Sequence, residues 1–199
     1  MIHRARRSSA LLFFSFLLFQ LACAGRETAS TEGARTPAVD GGVVTLPNSC
    51  VVIVSGGRVS AREPNGQSRW RIDLPDGDRA VAPPAAAPSS VTYIRGAQSI
   101  YAVSPDGKLL WQAKYADDAA QIKAIVALSD SSAAIATGDT TVVCYAASGE
   151  VRWIYTLPDG DRLVASPVPA ANGLVHLRGR NRLYAVNAEG KWQWQADLQ

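Results

Sequence analysis

Few side chains in this 199-residue chain are suited to chemistry. Two histidines are present, His3 and His176, and the first falls within an N-terminal segment with the marks of an export signal. A single remaining imidazole cannot assemble a multi-histidine metal site. His176 lies in the run GLVHLRG, where strand alternation puts it on one face with Leu174, and its counterpart in an earlier copy of the run is Tyr93. A large half-polar residue there is expected to fill space between sheets. Cys50 and Cys144 stand inside the apolar runs CVVIVS and TVVCYA with no CxxC spacing, so buried free thiols are expected rather than a redox or zinc centre. The carboxylates Asp76, Asp78, Asp159 and Asp161 belong to two copies of LPDGDR, and Asp117 to the related YADDAA. Their recurrence predicts Asx-type bonds to nearby backbone amides. No glycine-rich loop follows a strand and opens a helix, so nucleotide chemistry has no support. No catalytic residue, metal or cofactor is expected.

Arg79 and Arg162, which end the two hexamers, are the remaining candidates. One reading pairs them with the adjacent Asp78 and Asp161, a weak contact at an exposed site. The other makes them partner-binding residues, arginine being enriched at binding hot spots.

The elements that position these residues are repeats. The hexamers Leu74–Arg79 and Leu157–Arg162 are offset by 83 residues, and the offset continues through RAVAPPAAAPSSVTYIRGAQSIYAVSPDGKLLWQA and RLVASPVPAANGLVHLRGRNRLYAVNAEGKWQWQA. Inside it runs a shorter period, a glycine followed four residues later by tryptophan: Gly66 and Trp70, Gly107 and Trp111, Gly149 and Trp153, Gly190 and Trp194. The steps of 41, 42 and 41 residues define four units, and LPDGDR joins the first to the second and the third to the fourth. Each unit holds four short runs rich in Val, Ile, Leu, Tyr and Trp, as in LVASPVPA, GLVHLRG, RLYAVN and KWQWQADL. None has helical periodicity. Four antiparallel strands in about 41 residues make one β-propeller blade. The glycine supplies a positive-φ turn position and the tryptophan a flat apolar face to bury between blades. The expected fold is all-β: a propeller domain over residues 41–199 of four four-stranded blades. Three outcomes are open: a closed small ring, half of an eight-bladed ring formed by a homodimer, or an open arc.

MIHRARRSS is basic, ALLFFSFLLFQLA is apolar, and small residues follow, which predicts export. Leu21-Ala22-Cys23 is similar to a bacterial lipobox, with Gln20 as a departure. Residues 1–23 are thus expected to be a lipoprotein-type signal with Cys23 lipidated; cleavage after Ala24 is the alternative. GRETASTEGARTPAVD has the small, polar composition of a tether over residues 24–40. Without Arg4, Arg6 and Arg7 the 20 basic residues fall to 17, matching the 17 acidic ones. A neutral domain argues against nucleic-acid binding, which needs a concentrated basic surface.

LYAVNAEGKWQW, IYAVSPDGKLLW and ASPVPAANGLVHLRG resemble the PQQ-type, tryptophan-docking propeller repeat over residues of about 41–199. The resemblance implies the fold more firmly than a function, since one fold hosts unrelated activities. Its quinoprotein dehydrogenase branch uses eight blades, PQQ, calcium and a vicinal cysteine pair that is missing here. Its lipid-anchored branch, similar to the scaffold subunit of the outer-membrane β-barrel assembly machinery, has no catalysis. The signal, lipobox and tether fit that branch, again with four blades instead of eight. The resemblance therefore implies a periplasmic lipoprotein, anchored through Cys23 to the outer membrane, that acts as a protein-binding scaffold with an envelope partner. The alternative is a PQQ-, quinone- or small-molecule-binding module.

Overall fold

A computed structural model describes residues 41–114 and 125–198. The signal at 1–23 with Cys23, the tether at 24–40 and Asp117 lie outside the described residues. Among those described, the strands form four separate four-stranded antiparallel sheets. Blade 1 is β1 (Gly41–Thr45), β2 (Val51–Ser55), β3 (Arg58–Arg62) and β4 (Ser68–Asp73). Blade 2 is β5 (Ala85–Ala86), β6 (Thr92–Arg95), β7 (Ser99–Val103) and β8 (Leu109–Lys114). Blade 3 is β9 (Ile125–Ala127), β10 (Ala133–Thr137), β11 (Thr141–Tyr145) and β12 (Val151–Thr156). Blade 4 is β13 (Val168–Pro169), β14 (Val175–Arg178), β15 (Arg182–Val186) and β16 (Trp192–Asp197). In every sheet spatial order equals sequence order. The chain is a β-propeller array of four blades.

The first strands of blades 2 and 4 are shorter than the sequence runs suggest, two residues each. Proline explains the difference: Pro83 and Pro84 precede β5, Pro167 precedes β13, and Pro169 sits within it. Each removes a ladder N–H donor.

Apolar burial is divided among three clusters, one per joint between blades. Val52 and Val59 of blade 1 meet Ile94, Tyr101 and Val103 of blade 2. Tyr93 and Ile100 of blade 2 meet Ile125 and Ile135 of blade 3. Val142 and Cys144 of blade 3 meet Leu177, Tyr184 and Val186 of blade 4. A sheet whose two faces both meet neighbours is buried on both, and β7 accordingly has all five residues buried. One blade cannot cover its own faces, so stability resides in nearest-neighbour contacts.

A shared irregularity positions the tryptophans. The last two strands of every blade shift register beside the tryptophan, between Ala61 and Arg62, Ala102 and Val103, Cys144 and Tyr145, and Ala185 and Val186. The extra residues are Arg69, Leu110, Arg152 and Gln193, and such bulges re-aim the adjoining side chain. Three indoles then cross to the following blade. Trp70 Nε1 donates to the Pro105 carbonyl at 2.7 Å, Trp111 to Ala147 at 2.9 Å and Trp153 to Ala188 at 2.9 Å. Each acceptor lies two residues before the next blade's turn glycine. A Cβ built on Gly107, Gly149 or Gly190 would lie 2.6 Å from the incoming ring, whereas one on Gly66 would have no neighbour within 4 Å.

The glycine therefore has two jobs, and substitution separates them. Gly66 and Gly107 share a left-handed backbone, with φ of +84° and +79°. Gly66→Ala is expected to cost about 1 kcal/mol for that conformation alone. Gly107→Ala must also displace Trp70 and is expected to cost about 2 kcal/mol more. Urea unfolding of the two variants side by side measures the difference.

Candidate partner-binding face

Four-strand meanders place the turn between the second and third strands at the same end as the connector to the next blade. Arg79 and Arg162 therefore emerge on one face of the array, from alternate connectors. Each hexamer folds as a one-turn 3-10 segment, Pro75–Gly77 and Pro158–Gly160, in which Asp76 and Asp159 take positive φ. The connector bonds backward and forward. Leu74 N–H and Ala80 N–H donate to Gly57 and Gly56 of blade 1, while Val81 N–H donates to Arg95 of blade 2. Leu157, Leu163 and Val164 make the equivalent contacts to Thr140, Asp139 and Arg178.

Asp78 and Asp161 hold this arrangement. Both are buried. Asp78 accepts the backbone N–H of Arg79 at 2.7 Å, of Ala97 at 2.9 Å and of Gln98 at 3.1 Å, and the Tyr101 hydroxyl at 2.8 Å. Asp161 accepts from Arg162, Arg180 and Asn181 and from the Tyr184 hydroxyl at 2.9 Å. Burial pushes the Asp161 carboxyl up, but the amide and hydroxyl donors outweigh it and leave it below the ordinary aspartate range. Burial, then the bond to Asp78, pushes the Tyr101 hydroxyl up to about 12. The expected Asx-type bonding exists, with a longer reach: besides its own neighbour's amide, each carboxylate binds a turn 19–20 residues away.

This corrects the reading of the arginines. Arg162 does not pair with Asp161; its guanidinium donates to Asp139 at 3.0 Å. Asp78 is likewise occupied by amides and Tyr101, and the Arg79 guanidinium lies beside Gly56. The turns that face the two connectors differ: blade 3 has Asp139 and Thr140 where blade 1 has Gly56 and Gly57. Beside Gly57 opens a groove of about 490 Å³ bordered by Ser55, Gly56, Arg58, Leu74 and Arg79. Around it the face carries exposed Arg–Asp pairs, Arg58 with Asp73 at 3.3 Å and Arg182 with Asp159 at 2.7 Å and Asp197 at 3.0 Å. Such pairs add little stability and exchange readily for a partner's charges.

The opposite end presents a second concavity, of about 610 Å³, lined by the first turn of each blade around Leu46, Ala87, Leu128 and Ala170. Its walls are apolar apart from Thr45 and Ser129. His176 packs with its ring tilted against Trp194 at 5.5 Å, as Tyr93 does against Trp111 at 5.8 Å. Cys50 and Cys144 are buried, unpaired thiols. Burial pushes the Cys144 thiol up to about 11, which suppresses the reactive thiolate. Among the described residues, no group of three or more His, Cys, Asp or Glu is placed to hold a metal ion.

Tyr101 and Tyr184 were not singled out by the sequence, although a signal existed. They occur only in the units that come after LPDGDR; the equivalent positions in the other two units are Ser60 and Val143.

Known proteins share this fold. The family model described as outer membrane protein assembly factor BamB matches residues 96–199. BamB from Moraxella catarrhalis superposes with a TM-score of 0.62 at 16% identity, over 80% of this chain and 53% of that one. Virginiamycin B lyase from Staphylococcus aureus gives 0.63 at 14% identity, over 83% and 58%. The WD40 domain of Neurospora crassa Pan2 gives 0.54 at 10% identity, over 78% and 49%. The chain spans little more than half the length of the first of these structures. No curated protein sequence matches it.

Proposed function

This chain belongs to the PQQ-type propeller family described as outer membrane protein assembly factor BamB, and from that premise we propose that it is an exported, non-enzymatic scaffold of the bacterial cell envelope. The proposal places it in the periplasm, held at the outer membrane by a lipid on Cys23, where it binds an envelope protein and serves outer-membrane protein assembly. The observation that carries the reading is the connector face. A rigid, multiply hydrogen-bonded edge presents a groove at Arg79 and a row of exchangeable ion pairs, with no acid–base dyad among them. That is a surface for recognition. Arginine beside a concave, partly apolar wall is a frequent anchor for a partner segment. The likeness to the lyases among the structural neighbours is a likeness of fold, and a fold is not an activity.

The test is affinity capture from envelope membranes with the full chain as bait. A stoichiometric protein partner is expected, with capture falling about tenfold or more for Arg79→Glu, a charge reversal at the groove. Arg162→Glu is expected to have the smaller effect, because the groove of about 490 Å³ is bordered by Arg79 and not by Arg162. Failure to recover any stoichiometric protein would overturn the proposal, as would equal capture by wild type and Arg79→Glu together with substrate turnover.

A further inference from the structure

The joints are directional. A blade donates its tryptophan from one face and receives the preceding blade's tryptophan over its turn glycine on the other. Three donors and three acceptors are matched inside the chain; one of each remains. Trp194 makes no indole hydrogen bond among the described residues, is 38% exposed against 7% for Trp153, and is covered on one side only, by His176. Gly66, the fourth acceptor, has open space where the other three hold an indole. The four blades thus do not close on themselves through this joint.

We infer that Trp194 docks over Gly66 of a second copy of this chain, and that two such joints close a ring of two chains and eight blades.

The surfaces match at more than one point. In the joint from blade 2 to blade 3, Trp111 lies between Tyr93 of its own blade and Tyr145 of the next, both at 5.8 Å. Register places His176 at the Tyr93 position and Arg62 at the Tyr145 position of blade 1. Arg62 is exposed, and its guanidinium is held in place by a 3.0 Å bond to the Gly66 carbonyl, at the rim of the empty acceptor. Trp194 entering there acquires a cation on its open face, a favourable contact for an indole. The Pro64 carbonyl of blade 1 stands where Pro105, Ala147 and Ala188 accept an indole N–H in the other joints. The residues beside each joint are compatible as well. Arg69 faces Asp106 at 3.3 Å in the first joint, and the corresponding pair in the new joint is Gln193 and Asn65, which carries no like-charge repulsion. Apolar surface left open on the two end blades, Val43 at 62% and Val168 at 56% exposure, would be buried by the same contact.

Stoichiometry comes from symmetry. A head-to-tail interface either closes into a ring or runs on as a filament. One open donor, Trp194, and one open acceptor, Gly66, stand at opposite ends of the array, so two joints satisfy both in a closed pair. The joint from blade 4 to blade 1 repeats the joint from blade 2 to blade 3, neither being preceded by LPDGDR. This inference is independent of the partner proposed above, which binds the connector face.

The experiment is the mass of the full chain by sedimentation equilibrium, density-matched if detergent is needed, over a wide concentration range. The wild type is expected to be a dimer. Trp194→Ala removes an exposed ring and Gly66→Ala adds a methyl that meets nothing within its own chain, so each is expected to fold as a monomer. Either should raise the dissociation constant about 1,000-fold or more, because a hot-spot contact is lost twice per ring. Mixing the two variants is expected to restore weak pairing, since Trp194 of one meets Gly66 of the other. A wild-type monomer at all concentrations, a dimer undiminished in both variants, or a ladder of open oligomers would each overturn the two-chain ring.

Discussion

Trp153→Ala is expected to destabilise the protein by about 3–5 kcal/mol, the range for deleting a buried aromatic side chain. Trp153 is the most buried of the four repeat tryptophans, 7% exposed. Its removal strips the joint between blades 3 and 4 of the Ala188 hydrogen bond and of the ring that fills the space over Gly190. The same deletion at Trp194, whose joint is empty within one chain, is expected to cost the monomer far less. Since blades are coupled only to their neighbours, the variant should also lose cooperativity, blade 4 melting ahead of the rest. Urea unfolding followed by far-ultraviolet circular dichroism gives the free energy. Hydrogen exchange localises the early loss to residues 168–198.

Asp161→Ala is expected to cost about 3 kcal/mol. One buried carboxylate satisfies three backbone amides and the Tyr184 hydroxyl, and deleting it strands those donors. Asp161→Asn keeps one acceptor oxygen and should cost about half as much. Acid titration gives an independent check. The folded carboxyl lies below the ordinary aspartate range, so on acidification the unfolded chain takes up this proton first. The stabilisation is therefore complete above about pH 5 and is lost as the pH falls through the folded value, below about pH 4. Thermal melts between about pH 3 and pH 7 should show a steeper acid decline for wild type than for Asp161→Asn.

Blade architecture was legible because it is periodic. A glycine and a tryptophan four apart, recurring every 41 or 42 residues, can be met only by equal hairpins stacked in series. Strand lengths were less legible: the runs AVAPPAA and LVASPVPA promised full strands, yet proline cuts both to two residues. The second job of the turn glycines was hidden, since a positive φ alone accounts for Gly107 until the Trp70 ring is seen above it. At the connectors the sequence suggested contacts that the structure replaces with others. Adjacency suggested Asp78 with Arg79 and Asp161 with Arg162. The carboxylates instead turn inward to donors 19–23 residues away, because a desolvated carboxylate is stabilised more by several fixed donors than by one mobile guanidinium. The groove beside Gly57 was not legible at all: it depends on the glycine facing a connector from another part of the chain.

If each tryptophan reaches over the next blade's glycine, Trp153 and Gly190 are energetically coupled, and a double-mutant cycle between them tests the joint most directly. Gly190→Ala should cost about 3 kcal/mol in the wild type, combining backbone strain with displacement of the ring. In the Trp153→Ala background the methyl has room, and only about 1 kcal/mol should remain. A coupling of about 2 kcal/mol is the predicted result. Additivity within about 0.5 kcal/mol would contradict it, for the ring and the glycine would then not share a joint.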